Sequence, residues 1–153
     1  MARVRGCLLL LSVFVTMSVN AQDKDSIAVL KTAQNFVTAF NKFDWPTFRA
    51  SFTDDATIFY PFWDRARRVQ GRQDFETVWL NIFPEFADKN NKDTLQINPK
   101  DIHIQMYGST AILSFHLGDG QTALSRRTLV MLKQSGSWRI AHLHASSVSR
   151  PKE

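Results

Sequence analysis

Two histidines near the C-terminal end of the chain are the residues best placed to do chemistry. His142 and His144 lie in "WRIAHLHAS", residues 138–146, and one residue separates them. If this segment is a strand, residues two apart point to the same face. An imidazole titrates near neutrality and is a common metal ligand, so such a pair suits proton transfer or zinc binding. The third hypothesis is that one histidine packs in the core and the other lines a pocket.

A metal site would need a third ligand, and no spacing in the sequence requires one. The candidates are His116, His103 and Asp64. We therefore predict no metal and no cofactor, and we take His144 and His142 as the candidate catalytic residues. By strict alternation, Trp138 and Ile140 share their face. His116, on a neighbouring predicted strand, either approaches His142 across the sheet or lies inactive at the sheet end.

The segment "YPFWDR", residues 60–65, is the second candidate. Tyr60 and Trp63 carry rings that can stack on an apolar ligand, each with one polar atom. We predict that both line a pocket together with His116. Asp64 orients a histidine, acts as a base if it is desolvated, or forms a surface ion pair with Arg65 or Arg67, and we favour the surface pair.

Hydrophobic periodicity predicts that the first half of the chain is mostly helical and that the second half is mostly strands. Helices are predicted from Ser26 with Asp25 as N-cap, from Asp44 to the "TDDA" segment at residues 53–56, and from Gly71 or Arg72 to Pro84. A short extended stretch follows the second helix. Four alternating strands then form a meander, with turns at Gly108-Ser109 and at residues 134–137. This order predicts an α+β fold.

The predicted meander has apolar residues on both faces. Leu129 and Met131 alternate with Val130 and Leu132, and a sheet with one wet face lacks this pattern. We expect helices to cover one face and a second copy of the chain to cover the other, which predicts a homodimer.

The N-terminus resembles a secretory signal peptide. Arg3 and Arg5 precede an apolar run from Leu8 to Val19, and Ala21 offers a small residue for cleavage. We predict a signal peptide at residues 1–21 and one domain at residues 22–153, secreted or periplasmic, without stable membrane insertion after cleavage. Cys7 is the only cysteine, so the mature chain has neither a disulfide nor a thiolate nucleophile.

The charge of the mature chain is mild. Removal of residues 1–21 leaves 17 Lys and Arg against 14 Asp and Glu, a net charge of +3. Arg65, Arg67 and Arg68 form one cluster, and Arg126 and Arg127 form another. A solvated surface explains both clusters better than nucleic acid does, because a nucleic-acid site needs a longer basic stripe. We expect no nucleic-acid partner.

The order of elements and three motifs resemble the nuclear transport factor 2-like superfamily over about residues 25–150. The motifs are "AFNKFDWPTFRASFTDDATIFYP", "GRQDFETVW" and "SGSWRIAHLHAS". Within it the chain is similar to the SnoaL-like proteins and to the association domain of calcium/calmodulin-dependent kinase II. The resemblance implies a cone, in which three N-terminal helices wrap a curved antiparallel sheet around a pocket. It does not fix a reaction, because this fold has many functions.

Two departures narrow what the resemblance implies. Ketosteroid isomerases of this superfamily have a general-base aspartate just before a proline, where this chain has Tyr60, a poor base at neutral pH. Kinase association domains carry an arginine directly after the second histidine, where this chain has Ala145. Steroid isomerisation and an arginine-lined pocket for acidic ligands are therefore not expected.

Three functions follow as hypotheses. The first is binding of a small, partly apolar organic molecule in the cone, with histidine-assisted acid–base catalysis of the isomerase, cyclase or lyase type as its extension. The second is a dimerisation or partner-docking module whose cone is filled by its own side chains. The third is a metal-dependent hydrolase that uses the two histidines.

Overall fold

The computed structural model describes residues 8–65, 67–118 and 123–149, and for residues 8–21, 123 and 149 it describes the backbone alone. The helices are α1 (Leu8–Asn41), α2 (Trp45–Ala50) and α3 (Arg72–Ile82). The strands are β1 (Phe52–Phe59), β2 (Lys100–Tyr107), β3 (Thr110–Leu117), β4 (Ala123–Gln134) and β5 (Ser137–Ser149). Two short 3₁₀ turns, Trp63–Arg65 and Pro84–Phe86, follow β1 and α3.

Helix α1 differs from its predicted start. The prediction of Asp25 as N-cap is wrong, because the helix begins at Leu8 and continues through Asp25. The Asp25 carboxylate instead accepts hydrogen bonds from Lys133 Nζ at 2.6 Å and from Trp138 Nε1 at 3.3 Å. These bonds fix α1 to the hairpin between β4 and β5. They also lower the pKa of Asp25, the Lys133 hydrogen bond most and the Trp138 hydrogen bond next.

The predicted signal peptide lies only partly on described residues. Residues 1–7 are outside them, and residues 8–21 form the first turns of α1. Among the helices that the structure describes, none is long and apolar enough to cross a membrane.

The second and third helices follow local sequence signals. The Asp44 side chain caps α2 by accepting from Thr47 N at 3.2 Å, and Pro46 occupies the first turn. The prediction that α2 extends to "TDDA" is wrong, because β1 already begins at Phe52. Helix α3 ends before Pro84 as predicted.

The strands form one open mixed sheet in the order β1-β5-β4-β3-β2. The predicted meander is confirmed: β2 to β5 pair antiparallel with their sequence neighbours. Strand β1 adds to the far edge and runs parallel to β5, with Ile58 opposite Leu143 and Phe59 opposite His144. The sheet is therefore mixed rather than wholly antiparallel, and the α+β class is confirmed.

A β-bulge at Ala141 sets the direction of the side chains at the end of β5. Met131 pairs with Ile140 and Val130 pairs with His142, so Ala141 is an extra residue in β5. Before the bulge, Trp138 and Ile140 are buried; after it, Leu143 and Ala145 are buried. The extra residue shifts the alternation by one position, and His142 and His144 point away from the core.

The helices pack on one face of the sheet, which we call the inner face. It includes Leu113, Leu129, Met131 and Ile140, all fully buried. Aromatic rings fill the space between this face and the helices, and Phe48 lies 4.8 Å from Trp79 and 5.3 Å from Phe52 between ring centroids. Rings in such tilted and edge-to-face pairs add stability beyond the area they bury.

The opposite side is the outer face. Its residues follow from the register: Ile112 pairs with Val130, and Val130 with His142; Ser114 pairs with Thr128, and Thr128 with His144. Among the described residues, none of these side chains belongs to the buried core. The pattern that predicted two apolar faces is thus resolved into a covered inner face and an outer face that a single chain leaves partly open.

The last residue of α1 holds the segment before β2. Asn41 Nδ2 donates to Ile97 O at 3.1 Å, and Ile97 N donates to Asn41 Oδ1 at 2.9 Å. Leu95 N donates to Asn41 O at 2.9 Å. This reciprocal pair fixes Ile97, which forms part of the wall of the cavity described next.

Candidate functional site

A cavity lies between the inner face of the sheet and helices α1 and α3. Its volume is about 70 Å³, within about 560 Å³ of empty space that includes the solvent at its open mouth. The wall is apolar and mostly aromatic. Phe36 and Phe40 come from α1, Trp79 from α3, Phe115 from β3 and Leu143 from β5. Apolar walls with few polar groups are typical of small-molecule sites.

Three of the lining residues have polar atoms in their side chains, Tyr60, Trp79 and Arg127. The Tyr60 hydroxyl and the Trp79 indole nitrogen are buried, and neither has a hydrogen-bond partner among the described residues. Burial raises the pKa of Tyr60 strongly, against a smaller opposing effect of the Arg65 charge. The phenol is therefore protonated at neutral pH and is a donor rather than a base. An unsatisfied buried donor costs about 1–3 kcal/mol.

Arg127 lies in β4 between two inner-face residues. It is opposite Phe115 in β3 and opposite Ala145 in β5, and both neighbours are buried. Arg127 Nη1 donates to Ser125 Oγ at 2.7 Å and to Arg126 O at 2.9 Å. The ion pairs among the described residues do not include Arg127. Burial lowers its pKa, which is the expected effect on a cation removed from water.

Arg127 is the cavity residue that sequence reasoning missed. The prediction of a solvated arginine pair holds for Arg126, which is exposed, but is wrong for Arg127. The expectation of a pocket without arginine is also wrong, because Arg127 occupies the position across from Ala145. Strand alternation contained the signal, since Arg127 is two residues before Leu129 and four before Met131, both on the inner face.

His142 and His144 do not line this cavity, because the bulge at Ala141 directs them to the outer face. His142 Nδ1 is 2.7 Å from Thr57 Oγ1, and the Phe59 ring lies 5.7 Å from each imidazole. Burial lowers the pKa of His142, and the charges of His144 and Arg68 lower it further. The predicted shared face with Trp138 and Ile140 is wrong.

His116 and Trp63 lie apart from the cavity as well. His116 is on the outer face opposite Arg126, and its Nδ1 is 4.0 Å from the Asp101 carboxylate. Arg126 pairs in turn with Ser146 in β5, which is four residues after His142. His116 and His142 are therefore roughly 13 Å apart along the strand direction. Trp63 is 96% exposed. Of the five residues predicted to line one pocket, only Tyr60 lines the cone.

Trp63 and His144 instead border an open surface depression, together with Phe59, Phe62 and Tyr60. Asp64 forms a surface ion pair with the neighbouring Arg65, as favoured from the sequence. Across the described ranges, no group of three His, Cys, Asp or Glu side chains is close enough to hold a metal ion.

Comparisons with known proteins identify the fold. The SnoaL-like domain family matches residues 29–150. No curated protein sequence is a significant match. A provisionally assigned dehydratase of the NTF2-like family from Streptomyces avermitilis superposes with a TM-score of 0.68 at 18% identity, over 84% of this chain and 99% of that one.

Two further solved structures share the fold. The hub homology domain of calcium/calmodulin-dependent kinase II from Chlamydomonas reinhardtii has a TM-score of 0.63 at 21% identity, over 82% of this chain and 99% of that one. A ketosteroid isomerase-like protein from Erwinia carotovora atroseptica has a TM-score of 0.60 at 20% identity, over 81% and 96%. The resemblance inferred from the sequence motifs is confirmed, and this chain belongs to the SnoaL-like domain family.

Proposed function

We propose that the cone binds a small, mostly apolar organic molecule. The observation that carries the proposal is the aromatic cavity between the inner face and helices α1 and α3, with unpartnered donors on Tyr60 and Trp79. A cone that served only as a structural core would be filled by its own side chains and would pair its buried polar atoms. Two observations on the described residues support binding: about 70 Å³ of space stays open, and the polar atoms of Tyr60 and Trp79 have no hydrogen-bond partner.

We propose ligand binding in the cone, and we do not propose a histidine-assisted reaction there. His142 and His144 lie on the outer face, and the titratable side chains that line the cavity are Tyr60 and Arg127. Both hold their protons at neutral pH, so neither is a general base there. A reaction at the histidines would need a ligand in the surface depression beside Trp63.

A cavity-filling variant tests this proposal. Ala145→Leu places three more carbon atoms on the cavity wall, and we expect it to abolish saturable binding of phenylacetamide, a neutral aromatic probe, in ligand-observed NMR. Gln105→Leu adds a similar apolar group at an exposed site on β2 and should leave binding unchanged. Equal binding by wild type and Ala145→Leu, or no binding by wild type, would contradict the proposal.

We also propose that the outer face pairs with a second copy of the chain. Ile112, Val130 and Leu132 are apolar and only half-buried there. The kinase II hub homology domain, which has the same fold, is named for its role as a hub. Val130→Lys would place a charge at the centre of this face and should produce monomers in concentration-dependent light scattering. A wild type that is monomeric at every dilution would contradict the homodimer.

Export is the third part of the proposal. We propose that residues 1–21 are removed as a signal peptide and that the domain is secreted or periplasmic. N-terminal sequencing of the protein from its host should begin at Gln22, within a few residues. A mature protein that retains Met1 would contradict it.

A further inference from the structure

We infer that the cone selects a compact apolar carboxylic acid and that Arg127 binds its carboxylate. The inference rests on the proposed function, since it names the class of molecule that the cavity accepts. Three observations carry it: the face of the sheet on which Arg127 lies, the few hydrogen-bond partners of its guanidinium, and the apolar residues that line the cavity with it.

The register fixes the face of the sheet on which Arg127 lies. Arg127 has Phe115 on one side and Ala145 on the other, in one row across β3, β4 and β5. Cross-strand neighbours share a face, and both neighbours are buried on the inner face. Arg127 therefore lines the cavity, whereas the adjacent Arg126 is exposed on the outer face opposite His116 and Ser146.

Among the described residues, the guanidinium has unused donors and no carboxylate partner. Only Nη1 donates to described groups, Ser125 Oγ and Arg126 O, and both are neutral acceptors. Nε and Nη2 have no hydrogen-bond partner among the described residues. A cation held in an apolar cavity is costly unless an anion pairs with it, and a carboxylate matches the guanidinium fork with two parallel hydrogen bonds.

The other residues that line the cavity indicate the chemistry of the ligand beyond its carboxylate. The other lining residues are apolar apart from Tyr60 and Trp79, whose polar atoms carry no charge at neutral pH. The aromatic wall favours contact with a ring or short alkyl chain, while a second charged group would have no counter-charge among the described lining residues. A monocarboxylic acid with an apolar body is the class that satisfies both parts of the cavity.

The test compares phenylacetate with phenylacetamide, which has the same shape and no charge. We expect wild type to bind phenylacetate about tenfold more tightly at pH 7.5, by titration calorimetry or ligand-observed NMR. Arg127→Met should remove this preference and leave phenylacetamide binding within about twofold of wild type. Arg126→Met, the matched control one residue away, should keep the preference.

The outcomes distinguish a failure of the proposed binding function from a failure of the carboxylate inference. If neither probe binds wild type, the proposed function fails. If both bind equally well, or if Arg127→Met keeps the preference, the cavity stands and the carboxylate inference is overturned. Should Arg127→Met not fold, Arg127→Lys retains the charge without the fork, and it should prefer phenylacetate by a smaller factor than wild type; the absence of any preference there overturns the inference.

Discussion

At the scale of single residues, one inserted residue decides what the two histidines can do. Ala141 shifts the alternation of β5, so Ile140 is buried on one face and His142 is half-buried on the other. The sequence pattern of residues 138–146 is a regular alternation and contains no mark of the bulge. The pairing with β4 determines it, and such long-range pairing is not encoded in a nine-residue window.

His142 should make the stability of the domain depend on pH. Its pKa is lowered in the folded chain by burial first, then by the charges of His144 and Arg68, so the unfolded chain binds more protons as the pH falls. The contribution is present above about pH 6.5, the ordinary pKa of histidine, and is lost as the pH falls toward the lowered value. We expect urea unfolding to show a smaller free energy of unfolding at pH 5.5 than at pH 7.5.

The variant His142→Asn isolates this effect. Asparagine keeps a polar atom near Thr57 Oγ1 and cannot take up a proton, so the difference between pH 7.5 and pH 5.5 should shrink. His116→Asn, in a different register row, is the control and should leave the difference as in wild type. An unchanged pH dependence in His142→Asn would contradict the assignment.

Arg127 should lower the stability of the unliganded domain. Its charge is partly buried and lacks a carboxylate partner among the described residues, and replacing such a group by an apolar one of similar size is often neutral or stabilising. Arg127→Met should therefore melt at the same temperature as wild type or higher, measured by circular dichroism without ligand. A loss of several degrees would indicate that Arg127 has a structural role at the end of the hairpin.

At the scale of elements, the regular helices were predictable and the start of β1 was not. Helix α3 has apolar residues at i, i+3, i+4 and i+7, and Phe75 and Trp79 from this stripe are buried. Asp54 and Asp55 were expected to end α2 because acidic residues favour turns. They lie in β1 because Phe52 and Ala56 are buried, and because Asp54 pairs with Arg49 and Arg72.

Arg49 connects α2, β1 and α3. Its side chain is 11% exposed, and Nε donates to Glu76 at 2.9 Å while Nη1 donates to Thr53 O at 3.2 Å. Arg49→Met removes the Arg49 donor to Thr53 O and one of the two donors to the Glu76 carboxylate, and we expect a loss of about 1–3 kcal/mol in the free energy of unfolding. Arg72 reaches the same Glu76 carboxylate from a side chain that is 63% exposed, so Arg72→Met should cost less than about 1 kcal/mol. Equal losses in urea unfolding would contradict this assignment.

Trp138 fixes α1 to the hairpin between β4 and β5. The ring is buried and Nε1 donates to Asp25. We expect Trp138→Ala to lower the free energy of unfolding by about 3–5 kcal/mol, as other aromatic-to-alanine changes in cores do. Trp138→Phe keeps most of the buried ring and loses only the donor, so it should cost less; thermal unfolding of the two variants checks the order.

At the scale of the whole molecule, the family and the position of the pocket follow from the order of elements, and the chemistry of the pocket does not. The helices and the meander were predictable because their apolar patterns are local. The cavity is formed by residues as distant in sequence as Phe36, Tyr60, Ile97 and Arg127. Tyr60 could be predicted because its ring, in the segment "YPFWDR", can stack on an apolar ligand, whereas Arg127 needed the register of three strands.

The most direct test of the account is where phenylacetate binds. Each of the four tryptophans gives its own indole N–H signal. Trp79 lines the cone and the exposed Trp63 borders the surface depression, so their signals distinguish binding at the two sites. In two-dimensional ¹⁵N NMR, with Trp63→Phe for assignment, titration should shift the Trp79 indole signal saturably and leave the Trp63 signal in place. A Trp79 signal that does not move, or a shift confined to Trp63, would contradict a ligand site in the cone.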